Sequence, residues 1–128
     1  MALTEREKRN IERVKHWSWT WNNAVDRMVD ECYAQNCEVV NMMTGYTMHG
    51  REELRAIEHA MLQFDGTRRM EITNIVASGE VVAVQADAVW GNMRSKACVF
   101  LTFDDEGMIV VDNSYGSDPS GASTPVGK

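Results

Sequence analysis

Two aspartates lie in strand-like, largely apolar stretches where a carboxyl group could do acid–base work. Asp87 falls within Val81 to Trp90, and Asp112 within Met108 to Ser114. A carboxyl group set in an apolar wall loses hydration, so its charged form is disfavoured and its pKa rises towards neutrality. It can then take or give a proton near neutral pH without metal or cofactor. Residues 112 and 114 share one face of a strand, which allows Ser114 to hydrogen-bond beside Asp112. Parity leaves the other aspartate open. Val82, Val84, Ala86, Ala88 and Trp90 form a continuous apolar face, and if that face lines the cavity, Gln85 and Asp87 point to solvent or to a partner subunit. Asp112 also fits a surface carboxylate near the end of an outer strand, and Ser114 a turn residue.

Other chemistries find less footing. His16 and His59 fall near charged, outward helix positions and His49 in a loop before Gly50, so all three read as solvated, with His49 able to reach a pocket rim. No His, Cys or carboxylate spacing matches a closed zinc site, and no metal is expected. Glycine-rich phosphate loops, a Gly-x-Ser-x-Gly elbow and a Cys–His nucleophile pair are also missing. Cys32, Cys37 and Cys98 are odd in number and sit in apolar segments, which suits reduced, packed thiols.

The net charge is −6 with Lys and Arg scattered, so nucleic acid is an unexpected partner. A charged start, Met1 to Asn10, and the lack of any apolar run of about 20 residues argue against a signal peptide or membrane span; a cytoplasmic protein is expected. At 128 residues and 44% hydrophobic, the chain can bury one ordinary core without disulfides.

The elements that must position these residues are legible in the spacing. Thr4-x-x-Glu7 is a capping box that opens a helix. Ile11, Val14, Trp17 and Trp21 then recur at three and four, a stripe that must face a core, with Trp19 off it. After Asn22-Asn23, a second amphipathic run places Val25, Met28, Val29, Cys32 and Tyr33 on one side. Cys37 to Met42 reads as a strand and Thr44 to Gly50 as a loop. Arg51 to Phe64 predicts a third helix with Leu54, Ile57 and Met61 inside and Glu52, Glu53, Arg55 and Glu58 largely outside. Four strands follow, Met70 to Val76, Val81 to Trp90, Met93 to Phe103 and Met108 to Ser114, joined by turns short enough for an antiparallel meander. Residues 1–115 make one α+β domain. Residues 116–128 are Gly, Ser, Pro and Thr-rich and predict a loose polar tail.

The order of elements and three short motifs carry a family resemblance. Tyr33-Ala34-Gln35-Asn36 resembles an aromatic-Ala-x-Asp turn after the second helix, His49-Gly50-Arg51-Glu52-Glu53-Leu54 a Gly-Arg-Glu start to the third, and Ile75 to Val84 the hairpin before the longest strand. Over residues 8 to 115 the chain resembles the nuclear-transport-factor-2-like, or SnoaL-like, superfamily. The resemblance implies a cone-shaped, curved antiparallel sheet with three helices from the N-terminal half on its concave face, one pocket for a small hydrophobic molecule, and a homodimer.

The resemblance also allows the family's site residues to be compared one at a time. Where ketosteroid isomerases carry a carboxylate base, a tyrosine and a second acid, this chain has Asn41, Trp17 and a position near Val99, which removes the groups for that reaction. Relative to limonene-epoxide hydrolases, Asn41 falls on the water-holding asparagine and Asp87 on one aspartate. Val39 replaces the tyrosine, Gln85 the bridging arginine and Ser114 the other aspartate, with Asp112 two residues earlier. SnoaL-like polyketide cyclases also carry an aspartate near Ser114.

The resulting expectation is a catalytic cluster of Asp87, Asp112, Asn41 and Ser114. Trp17, Trp21, Val39, Met43, Ile57, Met61, Gln85 and Tyr115 are expected around the ligand. The implied activity is cofactor-independent isomerisation, cyclisation, dehydration or epoxide hydrolysis. The competing expectations are a small-molecule-binding module and a structural dimerisation domain of the same fold.

Overall fold

The computed structural model describes residues 2–125. Thr4 closes the expected capping box: its Oγ1 accepts from Glu7 N at 3.1 Å, and Glu7 Oε1 accepts from Thr4 N at 2.8 Å. Helix α1 (Glu5–Asn23) follows and buries Asn10, Val14, Trp17 and Thr20, one helical face. The chain breaks at Ala24, whose φ of −158° and ψ of 73° are not helical, and α2 (Val25–Cys32) buries Val25, Met28, Val29 and Cys32. The remaining elements are β1 (Tyr33–Asn41), β2 (Thr47–His49), α3 (Gly50–Phe64), β3 (Arg69–Ser78), β4 (Val81–Trp90), β5 (Met93–Phe103) and β6 (Ile109–Tyr115). None of the described helices is long and apolar enough to cross a membrane.

The six strands form one sheet in the order β2-β1-β6-β5-β4-β3. The β3 to β6 meander is antiparallel, as its short turns require. β1 joins β6 in parallel, so the sheet is mixed. That pairing is possible because α3 and four strands intervene, giving the chain length to cross over. The segment expected as a loop holds the short strand β2 against β1, and the expected turn at Tyr33 to Asn36 is the irregular start of β1. Gly50 takes φ of +85° where β2 passes into α3, a conformation open to glycine without steric cost.

The helices pack with the sheet around a core that includes Val14, Met28, Val29, Val82, Val84, Leu101 and Ile109, all with essentially no exposure. Each such aliphatic side chain contributes about 1.5–3 kcal/mol by leaving water. Side-chain ties fix how α1 lies across the sheet. Asn22 exchanges amide hydrogen bonds with the Met70 backbone at 2.8 and 2.9 Å, and Arg13 donates to Gly107 O at 2.9 Å and to Glu31 O.

Register decides which side chains face the helices. On β4, Val82, Val84, Ala86 and Trp90 are buried, and Gln85 and Asp87 fall on the opposite face. On β6, Asp112 and Ser114 stand opposite Leu101 and Val99, so they share the core side. On β1, Val39 and Asn41 pair with Asp112 and Ser114. Glu58, expected outside, is buried on α3 in line with Leu54 and Met61, because four-residue and three-residue steps return to one helix face.

Candidate active site

Between the helices and the inner face of the sheet lies a cavity of about 150 Å³. Its walls are mostly apolar and aromatic, with Trp17 and Trp21 from α1, Met61 from α3, and Ala86, Ala88 and Trp90 from β4. Into them are set a few polar groups, as in sites that hold a small organic ligand.

Asp112 is the centre of the polar part. It is 3% exposed, and both carboxylate oxygens are engaged: Oδ2 accepts from the Tyr33 hydroxyl at 2.6 Å and Oδ1 from Ser114 Oγ at 2.6 Å. Tyr33 Oη in turn accepts from Trp17 Nε1 at 2.9 Å. The chain Trp17–Tyr33–Asp112–Ser114 joins α1, β1 and β6 and fixes the orientation of the carboxyl group. Burial pushes the Asp112 pKa up from 3.8 to about 6; the hydrogen bonds from Ser114 and Tyr33 pull the other way, and the nearby Glu58 charge adds to the rise. Burial, then the Asp112 charge, holds the Tyr33 phenol well above its usual value, so Tyr33 keeps its proton as a donor. Asp112 thus changes protonation close to neutral pH, as a general acid or base requires.

A second polar feature is an ion pair between Glu58 and Arg68, both almost fully buried. The Arg68 guanidinium lies 3.7 Å from the Trp21 ring centroid and 5.6 Å from that of Trp90, whose rings meet edge to face. Glu58 itself lines the cavity.

Residues 116 to 125 were expected within a loose tail, yet Gly116, Ser117, Asp118 and Ser123 contribute to the cavity wall. Asn41 Nδ2 donates to Ser123 Oγ at 2.8 Å and to its carbonyl at 3.2 Å, and Thr44 Oγ1 donates to the same carbonyl at 2.9 Å. Asp118 accepts from the backbone and hydroxyl of both Ser120 and Ser123. Burial opposes its charge, but these hydrogen bonds prevail and hold its pKa below the usual value. Residues 126–128 of the expected tail lie outside the described residues.

The structure brings together Asp112, Asn41 and Ser114, and with them Trp17, Trp21, Val39 and Met61. It does not bring Asp87, which pairs with the exposed Lys96 at 2.6 Å on the outer face. Gln85 is exposed on that face too. The physical reason is the two-residue period: with Ala86 and Ala88 on the cavity, the residues between must point away. Met43 is 68% exposed in the turn after β1, Ile57 packs beside the core without lining the cavity, and Tyr115 borders the cavity while its ring packs edge-on against Phe100. Asn41 is present, but its amide is committed: besides the bonds to Ser123, its Oδ1 accepts from Met43 N at 3.0 Å.

Sequence reasoning missed Tyr33, Glu58 and Arg68. Tyr33 was visible as an apolar-face residue ending a helix, without a sign of its partner 79 residues away. For Glu58 the signal was its place on the Leu54–Met61 face.

Among the described residues, no three His, Cys, Asp or Glu side chains converge as a metal site would need. Cys32 and Cys37 are buried free thiols and Cys98 a partly buried one.

The SnoaL-like domain family model matches residues 14–111. Among solved structures, the chain is similar to a candidate SnoaL-like polyketide cyclase from Jannaschia sp. CCS1, with 14% identity, TM-score 0.78 and 91% of each chain covered. A candidate ketosteroid isomerase from Kribbella flavida DSM 17836 has 17% identity and TM-score 0.77, covering 87% of this chain and 79% of its own. The epoxide hydrolase/cyclase-like enzyme SalBIII, of pyran ring formation in the polyether salinomycin, has 20% identity and TM-score 0.77, with 87% and 92% covered. At such identities the likeness is one of fold. No curated protein matches the sequence.

Proposed function

The chain belongs to the SnoaL-like domain family, and from that premise we propose that it is a cofactor-independent enzyme performing acid–base chemistry on a small hydrophobic molecule. The observation that carries the reading is Asp112, buried against an apolar cavity and held by Tyr33 and Ser114, with its pKa raised to about 6. It can take a proton from a carbon acid or a water molecule, or return one to a leaving oxygen. Tyr33 and Ser114 orient it, and the aromatic walls exclude water. Isomerisation, cyclisation, dehydration and epoxide opening all use such a group, and structures described as cyclase, isomerase and epoxide hydrolase/cyclase-like share this fold.

The test is turnover of cyclohex-3-enone, whose double bond moves into conjugation, and of styrene oxide, whose ring opens with water. The wild type should accelerate at least one of them over buffer, and Asp112→Asn should lower that rate by about a hundredfold or more. Equal turnover in the variant rejects the role of Asp112.

A second reading, binding without turnover, is favoured by Asn41, whose amide is spent on Ser123 and Met43 rather than left to hold an attacking water. It predicts affinity for apolar ligands in both proteins and turnover in neither.

The same reading includes a homodimer paired through the outer sheet face, supported by the exposed Val76, Phe100 and Tyr115. Sedimentation at micromolar concentration showing only monomer would exclude it.

A further inference from the structure

We propose that Glu58 sets the specificity of the cavity by accepting a hydrogen bond from an uncharged hydroxyl group, so that among small apolar molecules the cavity favours those bearing an alcohol or phenol. The inference deepens the reading of the same cavity and rests on its being a ligand site. It stands on where the Glu58 carboxylate is placed and on what its partner does.

Glu58 lines the cavity and is 7% exposed, and its Oε1 accepts from Arg68. Among the described residues, no donor is hydrogen-bonded to Oε2, and that oxygen is not one of the fully enclosed atoms left without a partner. It therefore keeps some exposure, on a residue that lines the cavity. A buried ion pair is weak as a stabilising device, since removing two charges from water offsets most of their attraction, and apolar residues of similar size serve a core equally well. Here the charge replaces an apolar residue midway between Leu54 and Met61 on the helix face that looks inward. A carboxylate oxygen facing an apolar cavity is an acceptor awaiting a donor, and binding without one leaves it unsatisfied.

The choice of hydroxyl over ammonium follows from Arg68. The pair carries no net charge, so Glu58 itself offers a ligand cation no uncompensated anion; the other carboxylates of the lining, Asp112 and Asp118, are each held by hydroxyl donors of the protein. The Trp21 face that would attract a cation already carries the Arg68 guanidinium at 3.7 Å, which would repel a second one. A hydroxyl supplies the one donor that Oε2 needs, and its apolar body is left to Trp17, Met61, Met70 and Ala88. A cavity of about 150 Å³ admits a body near the size of benzene.

The roles of the two acids then separate. Asp112, with both oxygens engaged by protein donors, moves the proton; Glu58, with one oxygen open, positions the ligand.

The experiment measures affinities by tryptophan fluorescence and calorimetry for benzyl alcohol, benzyl methyl ether, toluene and benzylamine, probes of nearly equal size. They are titrated into the wild type, Asp112→Asn, Glu58→Gln and the double variant Glu58→Met/Arg68→Met. The double variant removes both charges together and avoids stranding a buried arginine; its melting curve confirms folding.

The wild type should prefer benzyl alcohol over the ether by about tenfold or more. Asp112→Asn should retain that preference, Glu58→Gln should keep part of it, and the double variant should bind alcohol, ether and toluene alike. The proposal is overturned if the double variant keeps the preference, if Asp112→Asn abolishes it, if benzylamine binds more tightly than the alcohol, or if the wild type binds none of the four. Failure of the catalytic reading shows separately, in turnover by Asp112→Asn, and leaves these affinities interpretable.

Discussion

Replacing Asp112 by asparagine removes a carboxyl group whose pKa burial lifts from 3.8 to about 6, so the variant has a stability signature that depends on pH. Because the folded pKa is the higher one, the folded protein holds the proton more tightly than the unfolded chain. The favourable contribution is complete below about pH 3.8 and is lost as pH rises through about 6. At roughly 1.4 kcal/mol per unit, ionising Asp112 in place costs about 3 kcal/mol at higher pH.

Asparagine never ionises and escapes that cost. Its amide nitrogen cannot accept a hydroxyl proton, so either Tyr33 or Ser114 loses its 2.6 Å acceptor, at about 1 kcal/mol. The variant should therefore be more stable than the wild type by about 1–2 kcal/mol near pH 8 and less stable by about 1 kcal/mol near pH 4, with the curves crossing between. Urea unfolding followed by tryptophan fluorescence across that range measures both. A difference that does not vary with pH, or one that favours the variant most in acid, would refute the assignment of a raised pKa to Asp112.

Tyr33→Phe strands Trp17 Nε1 and takes one donor from Asp112; it should destabilise the fold by about 1–3 kcal/mol and move the Asp112 titration, read by carboxyl carbon NMR, above about 6. Movement to lower pH would contradict the hydrogen-bond account. Ser123→Ala removes the 2.8 Å acceptor of Asn41 and a donor to Asp118, so amide exchange in residues 118–123 and the association rate of benzyl alcohol should both rise severalfold. Unchanged exchange would mean that these bonds do not hold the segment. Asp87→Ala breaks a pair whose lysine is 80% exposed, costs less than about 1 kcal/mol and should leave ligand affinity and turnover unaltered. A large loss of turnover would return Asp87 to the site.

The local rules that the sequence obeys are short-ranged, and what they govern was legible. The Thr4–Glu7 box and the three-and-four spacing of Val14, Trp17 and Trp21 determine α1, and the turns at Ser78-Gly79 and Gly91-Asn92 determine a meander. Asp112 and Ser114 could be paired from sequence because residues two apart on a strand share a face. Parity alone never says which face is covered, however. Only the placing of the helices over the sheet face that carries Ala86 and Ala88, with the cavity between, turned Asp87 outward and left Asp112 inside. The hydrogen bonds that define the site join residues far apart in the chain, Tyr33 with Asp112 and Asn41 with Ser123. Periodicity carries no information about such pairs, and Glu58 read as a surface charge until Arg68 met it in the interior. Burial, and with it the raised pKa of Asp112, belongs to the assembled sheet and helices, because desolvation is a property of everything packed around a group rather than of its neighbours along the chain.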